Sequence, residues 1–355
     1  MKKILIACSL FSVVLAKPAM AHIWRVNNDP AKVADFTNIA EAVATAAPGD
    51  TIHIEPSRTP YNSFVLNKRL VILGNGYFLG SGLQVDRDSS VVRGVSIDSS
   101  AVNGNGSGSF IAGIFFAGSV SLLHNVRNVT ITRCLLTTQL SFTAYDRAAD
   151  GISITKCFLE ANVGESTLSA TVTVNFENNI FSAATGTGGG STNLGNNVTG
   201  LFRNNTINSD PVAFNMNNFY IANNVFAGSS LTSVNAGNNI VRNNTFASPA
   251  IAGLTDGQDG NRLGIAMAPL FTGSLTGGYG DARFQTVSPG ILRGSGETIG
   301  GITPDRGAYN TVAATDSYRT SGIPAIPTIY TLTVPASISP TATTMDITVS
   351  TRSNN

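Results

Sequence analysis

Apolar and polar residues alternate in a six-residue pattern that occurs six times between residues 131 and 246. The fourth residue of each copy, which we call the mark, sets the register: Cys134, Cys157, Asn179, Asn205, Asn224 and Asn244. Successive marks lie 23, 22, 26, 19 and 20 residues apart. A period near twenty residues with variable loops is typical of a solenoid, in which each repeat forms one coil.

Two columns of this alignment are apolar in every copy. Three residues before the mark stand Ile131, Ile154, Phe176, Phe202, Ile221 and Val241. Two residues after it stand Leu136, Leu159, Phe181, Ile207, Phe226 and Phe246. The column between them, two residues before the mark, accepts charge at Glu177, Arg203 and Arg242. Because alternation with period two indicates strands that cannot bury one face alone, we predict stacked coils around a continuous core.

The mark column predicts a corner with an internal asparagine ladder. Asparagine tolerates the left-handed conformation of a tight bend, and its amide can bond to amides stacked above and below. We therefore expect Asn179, Asn205, Asn224 and Asn244 to stack inside the coils, with Cys134 and Cys157 as smaller occupants. The alternative, that these residues form surface turns, does not explain why the flanking apolar columns stay in phase.

The start of the chain predicts export and then a cap. Lys2 and Lys3, the apolar stretch 4–16 and Ala19-Met-Ala21 have the pattern of a signal peptide over residues 1–21. Residues 22–49 form the predicted N-terminal cap, in which Asn38 is the N-cap of an amphipathic helix, with Glu41 three residues later. Thr51-Ile-His-Ile-Glu55 then reads as a strand. We expect the helix to cover the first coil.

This opening resembles many secreted proteins of the pectin-lyase-like superfamily. The residues that carry the resemblance are the Ala-rich helix, Pro48-Gly-Asp-Thr-Ile-His-Ile54, Tyr61 and the repeated Asn-Asn pairs, and Asp305-Arg-Gly-Ala-Tyr309 resembles the closing segment of such proteins. It covers roughly residues 36–310 and implies an all-β, right-handed parallel β-helix of bacterial type. At the repeat length typical of solenoids, residues 50–310 should form about nine or ten coils. This superfold hosts lyases, hydrolases and adhesins, so the resemblance implies a fold and not an activity.

The predicted organisation is a parallel β-helix over residues 50–310, a stiff linker over 311–328 and C-terminal strands over 329–355. Charged residues make up 12% of the 355 residues and the net charge is +1, which gives no basic field for nucleic acid. No segment after residue 21 is long and apolar enough to span a bilayer. We expect a secreted monomer, located outside the cell or at its surface, with the periplasm as the alternative.

Cysteine and histidine usage predicts neither a metal site nor another cofactor. Cys134 and Cys157 lie one coil apart, where a disulfide is possible, but in-register stacking favours a buried pair of thiols. His22, His53 and His124 lack the spacing of metal ligands.

No residue is assigned a catalytic role, because ionisable residues stand singly or beside opposite charges. Glu177 and Arg203 predict a surface ion pair, and Asp86, Asp88, Asp146 and Asp150 fall in turns. Arg133 and Lys156 stack one coil apart and could hold an anionic sugar. His124 and Arg127 come nearest to an acid–base pair, without a carboxylate close in sequence.

Three classes of function follow from these patterns. The leading hypothesis is a secreted, non-catalytic β-helix with a structural, surface-interaction or glycan-binding role, whose partner is a polysaccharide or cell-surface glycan. The alternative is a polysaccharide lyase or glycoside hydrolase with an atypical site. The third is an adhesin or passenger fragment.

Overall fold

The computed structural model describes residues 21–80, 83–100, 102, 104–182, 191–209, 214–234, 238–275, 280–287, 290–312, 317–337 and 340–354. The predicted signal peptide lies outside the described residues except for Ala21, and so does most of the glycine-rich loop 183–197.

Three parallel sheets, which we call A, B and C, build the molecule. Sheet A has ten strands: β1 (Ile23–Val26), β2 (Thr51–Ile54), β4 (Val71–Leu73), β7 (Phe110–Ala112), β10 (Thr130–Thr132), β13 (Ala149–Thr155), β16 (Val172–Glu177), β19 (Val198–Arg203), β22 (Phe219–Ala222) and β24 (Ile240–Arg242). Sheet B has eight: β5 (Val91–Val92), β8 (Phe115–Phe116), β11 (Leu135–Leu136), β14 (Phe158–Leu159), β17 (Ile180–Ser182), β20 (Thr206–Asn208), β23 (Val225–Phe226) and β25 (Thr245–Phe246). Sheet C has seven: β3 (Phe64–Leu66), β6 (Val95–Asp98), β9 (Val120–Leu123), β12 (Gln139–Tyr145), β15 (Asn162–Leu168), β18 (Thr192–Asn193) and β21 (Phe214–Asn215).

Each complete coil visits sheets A, B and C in turn, and all pairings between coils are parallel. Phe176 pairs with Phe202 and Phe181 with Ile207, so the six-residue copies stack in register. Both apolar columns point inward, and the least buried of their side chains is Val241, at 7% exposure. The parallel β-helix is therefore confirmed, with about eight turns rather than nine or ten.

The sheets do not cover the predicted span of residues 50–310. Sheet A already begins at β1, within the segment expected to be a cap, and the last stacked strand is β25. Helix α1 (Ile39–Thr45) buries Ile39 and Val43, and its N-cap Asn38 accepts a hydrogen bond of 2.8 Å from the Ala40 amide. Among the described residues after the solenoid, 3₁₀ turns lie at Gln258–Gly260, Ala268–Leu270, Ala282–Phe284 and Thr320–Gly322.

Each A-to-B corner uses two adjacent residues in two different ways. The residue before the mark adopts positive φ, between 51° and 58°: Arg133, Lys156, Asn178, Asn204, Asn223 and Asn243. The marks themselves are not in this conformation. Our expectation that the mark asparagine takes the left-handed position is therefore wrong, because the bend falls one residue earlier and leaves the mark pointing inward.

The predicted asparagine ladder is confirmed and runs one coil further than expected. The Nδ2–Oδ1 distances from Asn179 to Asn205 and on to Asn224, Asn244 and Asn261 are 3.1, 3.0, 2.9 and 3.2 Å. Each of these amides also donates to a backbone carbonyl, as Asn205 does to Phe176 at 2.9 Å. All five side chains are fully buried, so the ladder satisfies polar groups that the core would otherwise leave unpaired.

The cysteines occupy the same column as free, buried thiols, as predicted. The Cys157 amide donates to Asn179 Oδ1 at 2.9 Å, which joins the thiol pair to the ladder. Burial raises the pKa of the Cys157 thiol well above its ordinary value.

A segment that we call the strap, the described part of residues 265–326, covers the outer face of sheet B. Apolar side chains from both partners form a second core: Tyr77, Leu135, Phe158, Ile180, Val225, Met267, Leu270, Phe271, Phe284, Leu292, Ala308, Tyr309 and Tyr318. Tyr318 and Ile323 are buried, so the predicted linker over 311–328 is in part packed on the solenoid. The consecutive apolar pairs of sheet B, such as Phe158-Leu159, are buried on both faces for this reason.

The chain continues from the strap into an antiparallel hairpin of β26 (Thr328–Thr333) and β27 (Thr348–Arg352). The Val85 amide donates to Ile329 O at 2.9 Å, which attaches the hairpin to the solenoid. Leu332 and Val349 lie opposite each other and are about half exposed.

Candidate functional site

A cleft of about 320 Å³ opens between sheet B and the strap. Its floor is formed by Phe115, Leu135 and Phe158, which belong to β8, β11 and β14 and thus to three neighbouring coils. The other lining residues follow strands of the solenoid or belong to the strap: Phe78, Ser89, Thr137, Glu160, Gly280 and Arg283. We call this space the strap cleft.

The aromatic side chains of the strap cleft are held by other rings. Phe78 meets Phe158 edge to face, with ring centroids 5.4 Å apart, and Phe158 meets Phe284 of the strap at 6.1 Å. The Phe78 carbonyl accepts a hydrogen bond of 3.0 Å from Ser321 Oγ. Such packing restricts the rings, so the strap cleft presents a preformed apolar floor.

Glu160 brings a half-buried carboxylate to the edge of this floor. It follows β14 directly, and its backbone amide bonds to Leu136 O at 2.8 Å. Its carboxylate makes no hydrogen bond to any residue that the structure describes. Burial raises the pKa of the Glu160 carboxyl, although the positive charge of Arg283 acts in the opposite direction. A carboxylate that is partly desolvated and unpartnered costs stability, which is a common property of groups that meet a ligand.

Arg283 faces the strap cleft from the other side, but its donors are used within the protein. Nη1 donates to the carbonyls of Ser274 and Leu275 at 3.2 and 3.3 Å, and Nη2 donates to Ser182 Oγ at 3.3 Å. The guanidinium carbon lies 4.5 Å from the centre of the Phe284 ring. Arg283 thus fastens the strap to sheet B, and burial lowers the pKa of its guanidinium.

A buried polar network lies behind the strap cleft. Asp281 Oδ2 accepts hydrogen bonds from Tyr318 Oη at 2.7 Å and from the Ser321 amide at 2.6 Å. Tyr318 Oη is in turn 2.6 Å from Tyr77 Oη. Burial raises the pKa of Asp281 to about 6. Because Asp281 is only 1% exposed and occupied by these donors, it supports the strap and does not face a ligand.

The described lining of the strap cleft combines an apolar surface with one carboxylate. The apolar floor suits the C–H face of a pyranose, and the Glu160 carboxylate can accept hydrogen bonds from two hydroxyl groups. Glycoside hydrolysis needs a pair of carboxyl groups across the scissile bond. Glu160 is the single carboxylate among the described residues that line the strap cleft.

The predicted ion pair of Glu177 and Arg203 is confirmed. Arg203 Nη2 and Nε lie 2.5 and 3.1 Å from Glu177 Oε2, on the outside of sheet A. Asp88 lies 3.4 Å from Arg58 and, with Asp86 and Asp29, borders a second cleft of about 400 Å³. In the described part of the chain, no group of three His, Cys, Asp or Glu residues could hold a metal ion.

Arg133, which with Lys156 could hold an anionic sugar, uses one of its guanidinium nitrogens within the protein. Its Nη1 donates to Ile323 O at 2.9 Å and to Asn354 O at 3.0 Å. Arg133 therefore fastens the end of the strap and the C-terminal residues to the corner of the solenoid.

His124 has a carboxylate partner in the structure, although no carboxylate lies close to it in sequence. Its Nδ1 lies 2.8 Å from Asp98 Oδ1, and Asp98 belongs to the preceding coil of sheet C. Asp98 is 3% exposed, whereas the His124 side chain is 44% exposed. Arg127 is exposed, and its amide bonds to Ser107 Oγ at 3.1 Å. This His–Asp pair belongs to sheet C, whereas the strap cleft lies on sheet B.

Sequence reasoning missed Glu160 and Arg283, the two charged residues of the strap cleft. Three residues after the marks stand Thr137, Glu160, Ser182, Asn208, Ala227 and Ala247. Glu160 is the one charged residue in that column, so extending the alignment by one position would have found it. Arg283 lies in a segment without repeats, and no comparable signal points to it.

Among the described residues, no helix has the length and apolar character needed to cross a bilayer. No family model, curated protein or solved structure matches the chain.

Proposed function

We propose that this protein is a secreted, non-catalytic glycan-binding β-helix and that the strap cleft is its binding site. The observation that carries the proposal is the Glu160 carboxylate, which is half-buried and has no hydrogen-bond partner among the described residues, beside an apolar floor spanning three coils. A bound sugar would supply hydroxyl donors to this carboxylate and cover Phe115 and Phe158.

The expected secretion rests on the charged and apolar pattern of residues 1–21. A right-handed helix is part of the same proposal, from the resemblance to the pectin-lyase-like superfamily. In it, α1 acts as the cap of the first coil, which is supported by its buried Ile39, Ala42 and Val43.

A polysaccharide lyase is the second candidate, and one observation favours it. The raised pKa of the Glu160 carboxyl suits a general base that removes a proton next to a uronate carboxyl group. Lyases on this fold also need a cation or a metal ion to neutralise that group. The hydrogen bonds of Arg283 within the protein weaken this candidate.

Binding of oligosaccharides to the secreted form by calorimetry tests the proposal, with Glu160→Gln as the main variant. We expect wild-type binding to at least one glycan of a broad panel and a loss of tenfold or more in affinity on Glu160→Gln. Glu177→Gln is the matched control, because it makes the same change at an ion-paired glutamate on sheet A, and it should alter affinity less than about twofold. Absence of binding across the panel, or equal effects of both variants, would refute the proposal.

A further inference from the structure

We infer, on the basis of the proposed function, that the strap cleft selects uncharged sugar units and excludes uronates. The inference concerns the charge of the ligand, and it rests on the hydrogen bonds of Arg283, the position of Glu160 and the apolar floor.

Arg283 is the one cation among the described residues of the strap cleft, and it cannot present a fork of two donors to a carboxylate. An end-on fork needs hydrogens of both Nη1 and Nη2, but Nη1 already serves the carbonyls of Ser274 and Leu275. A side-on fork needs Nε, which is shielded from solvent and has no hydrogen-bond partner among the described residues. Because paired donors are the strong form of carboxylate recognition, Arg283 can offer a uronate only weaker attraction.

Glu160 adds repulsion to this missing attraction. Its carboxylate has no hydrogen bond within the described chain and stands at the edge of the floor, where it meets whatever fills the strap cleft. Two carboxylates in a partly desolvated space repel each other, whereas neutral hydroxyl groups donate to the same oxygens. An ionised Glu160 therefore favours a neutral sugar and opposes a uronate of the same shape.

The apolar floor of the strap cleft also disfavours a uronate relative to a neutral sugar. Phe115, Leu135 and Phe158 offer no polar atom to a carboxylate lying over them, so its negative charge would lose water without compensation. The C–H face of a neutral pyranose loses little on the same surface.

The test compares two ligands that differ only at C6, where an oligogalacturonate has a carboxylate and the same oligomer after carboxyl reduction has a neutral hydroxymethyl group. A mannuronate oligomer and its reduced form give a second pair with another ring configuration. For wild type we expect at least tenfold tighter binding of a reduced form than of its parent. Glu160→Gln should reduce this ratio to about threefold or less, because it weakens binding of the neutral form and also removes the repulsion of the uronate.

Thr137→Glu provides a second variant, because Thr137 lines the same cleft one coil away from Glu160. The added carboxylate should increase the ratio further, and unchanged thermal midpoints will show that both variants fold. Equal or tighter wild-type binding of a uronate would overturn this inference and leave glycan binding intact. Absence of binding by every glycan tested would overturn the proposed function together with the inference.

Discussion

At each A-to-B corner, two adjacent residues have different roles because the bend in the backbone points their side chains in different directions. The first, such as Asn204, adopts positive φ and donates from Nδ2 to Asp305 O in the strap at 2.8 Å. The second, Asn205, points inward and joins the ladder. In an Asn-Asn pair, the first side chain thus binds the strap and the second binds the ladder inside the core. Asparagine suits both positions, because it tolerates the bend and its amide can pair with other asparagine amides.

Asn205→Leu should destabilise the protein more than Arg203→Leu, although the two sites are neighbours. The first change removes the Oδ1 acceptor of the Asn179 backbone amide and of one Asn179 Nδ2 hydrogen inside the core, at a cost of roughly 1–3 kcal/mol. The second removes an ion pair at the surface of sheet A, which is worth at most about 1 kcal/mol. Denaturant unfolding of the two variants measures the difference, and equal losses would show that the ladder amides are not essential to the core.

Asp281 makes the stability of the strap depend on pH. Its pKa is raised from an ordinary value of 3.8 to about 6, so the folded state binds the proton more tightly than the unfolded chain. This contribution to stability is fully present below about pH 4 and is lost as pH rises through about 6. Its full size is roughly 2–3 kcal/mol, from about 1.4 kcal/mol per unit of pKa.

Asp281→Asn should remove that dependence, because the amide cannot ionise. The unfolding free energy of wild type relative to Asp281→Asn should fall between pH 4 and pH 7, and chemical denaturation at several pH values measures it. The exposed Asp146→Asn is the control and should leave the wild-type slope unchanged. A relative stability that rises over this range would contradict the assigned direction.

At the scale of elements, the strap depends on the segment Asp305-Arg-Gly-Ala-Tyr309. Arg306 donates to Asn244 O and to Gly260 O at 3.0 Å each, so it binds carbonyls at the end of the solenoid. Asp305 accepts hydrogen bonds from the amides of Gly294 and Thr311 at 2.8 and 2.7 Å. These contacts explain why charged residues in this segment are buried.

Gly307→Ala should loosen the strap. Gly307 has a φ of 93°, and a Cβ there would lie 2.9 Å from Thr206 Oγ1 and 3.1 Å from Val225 Cγ2. The strained backbone and the close contacts of the added Cβ together should lower the free energy of unfolding by roughly 1–3 kcal/mol and increase proteolysis within the strap. Gly257→Ala is the matched control, because Gly257 has a φ of 84° but open space around its Cβ position. Equal effects of the two changes would mean that contact with sheet B contributes nothing.

At the scale of the whole molecule, the charged residues that the structure describes are distributed over several faces, and Asp29, Asp86 and Asp88 border the second cleft together with Lys32 and Arg58. Glu160 lies on sheet B, the His124–Asp98 pair at the end of sheet C, and the Glu177–Arg203 pair on sheet A. A solenoid separates the residues of one coil over three faces and brings together only those in the same column.

We expect no turnover of pectate, alginate, hyaluronan or neutral glycans, with or without calcium, because Glu160 is the single carboxylate among the described residues of the proposed binding site. Ultraviolet absorbance for unsaturated ends and release of reducing sugars measure it. Activity that is lost on Glu160→Gln would identify the strap cleft as a lyase site. Activity that is lost on His124→Ala instead would place the chemistry on sheet C.

The repeated columns of the sequence were sufficient to predict the coils, the residues that face inward and most of the ladder. These features depend on contacts between residues about twenty positions apart, and such contacts repeat along the chain. Asn261 escaped that reasoning, because the apolar columns that define the register end at Phe246. The local sequence also could not place the bend on Asn204 rather than on Asn205, since both are asparagines.

Only the tertiary structure decided where the chemistry lies. Glu160 and Arg283 line the same cleft because the strap returns across sheet B, and the segments that permit this return carry no periodic pattern. Asp98 reaches His124 because successive coils stack, which places residues 26 positions apart side by side. Contacts within a column repeat and can be read from spacing, whereas contacts between the solenoid and a non-repeating segment depend on a path that spacing does not encode.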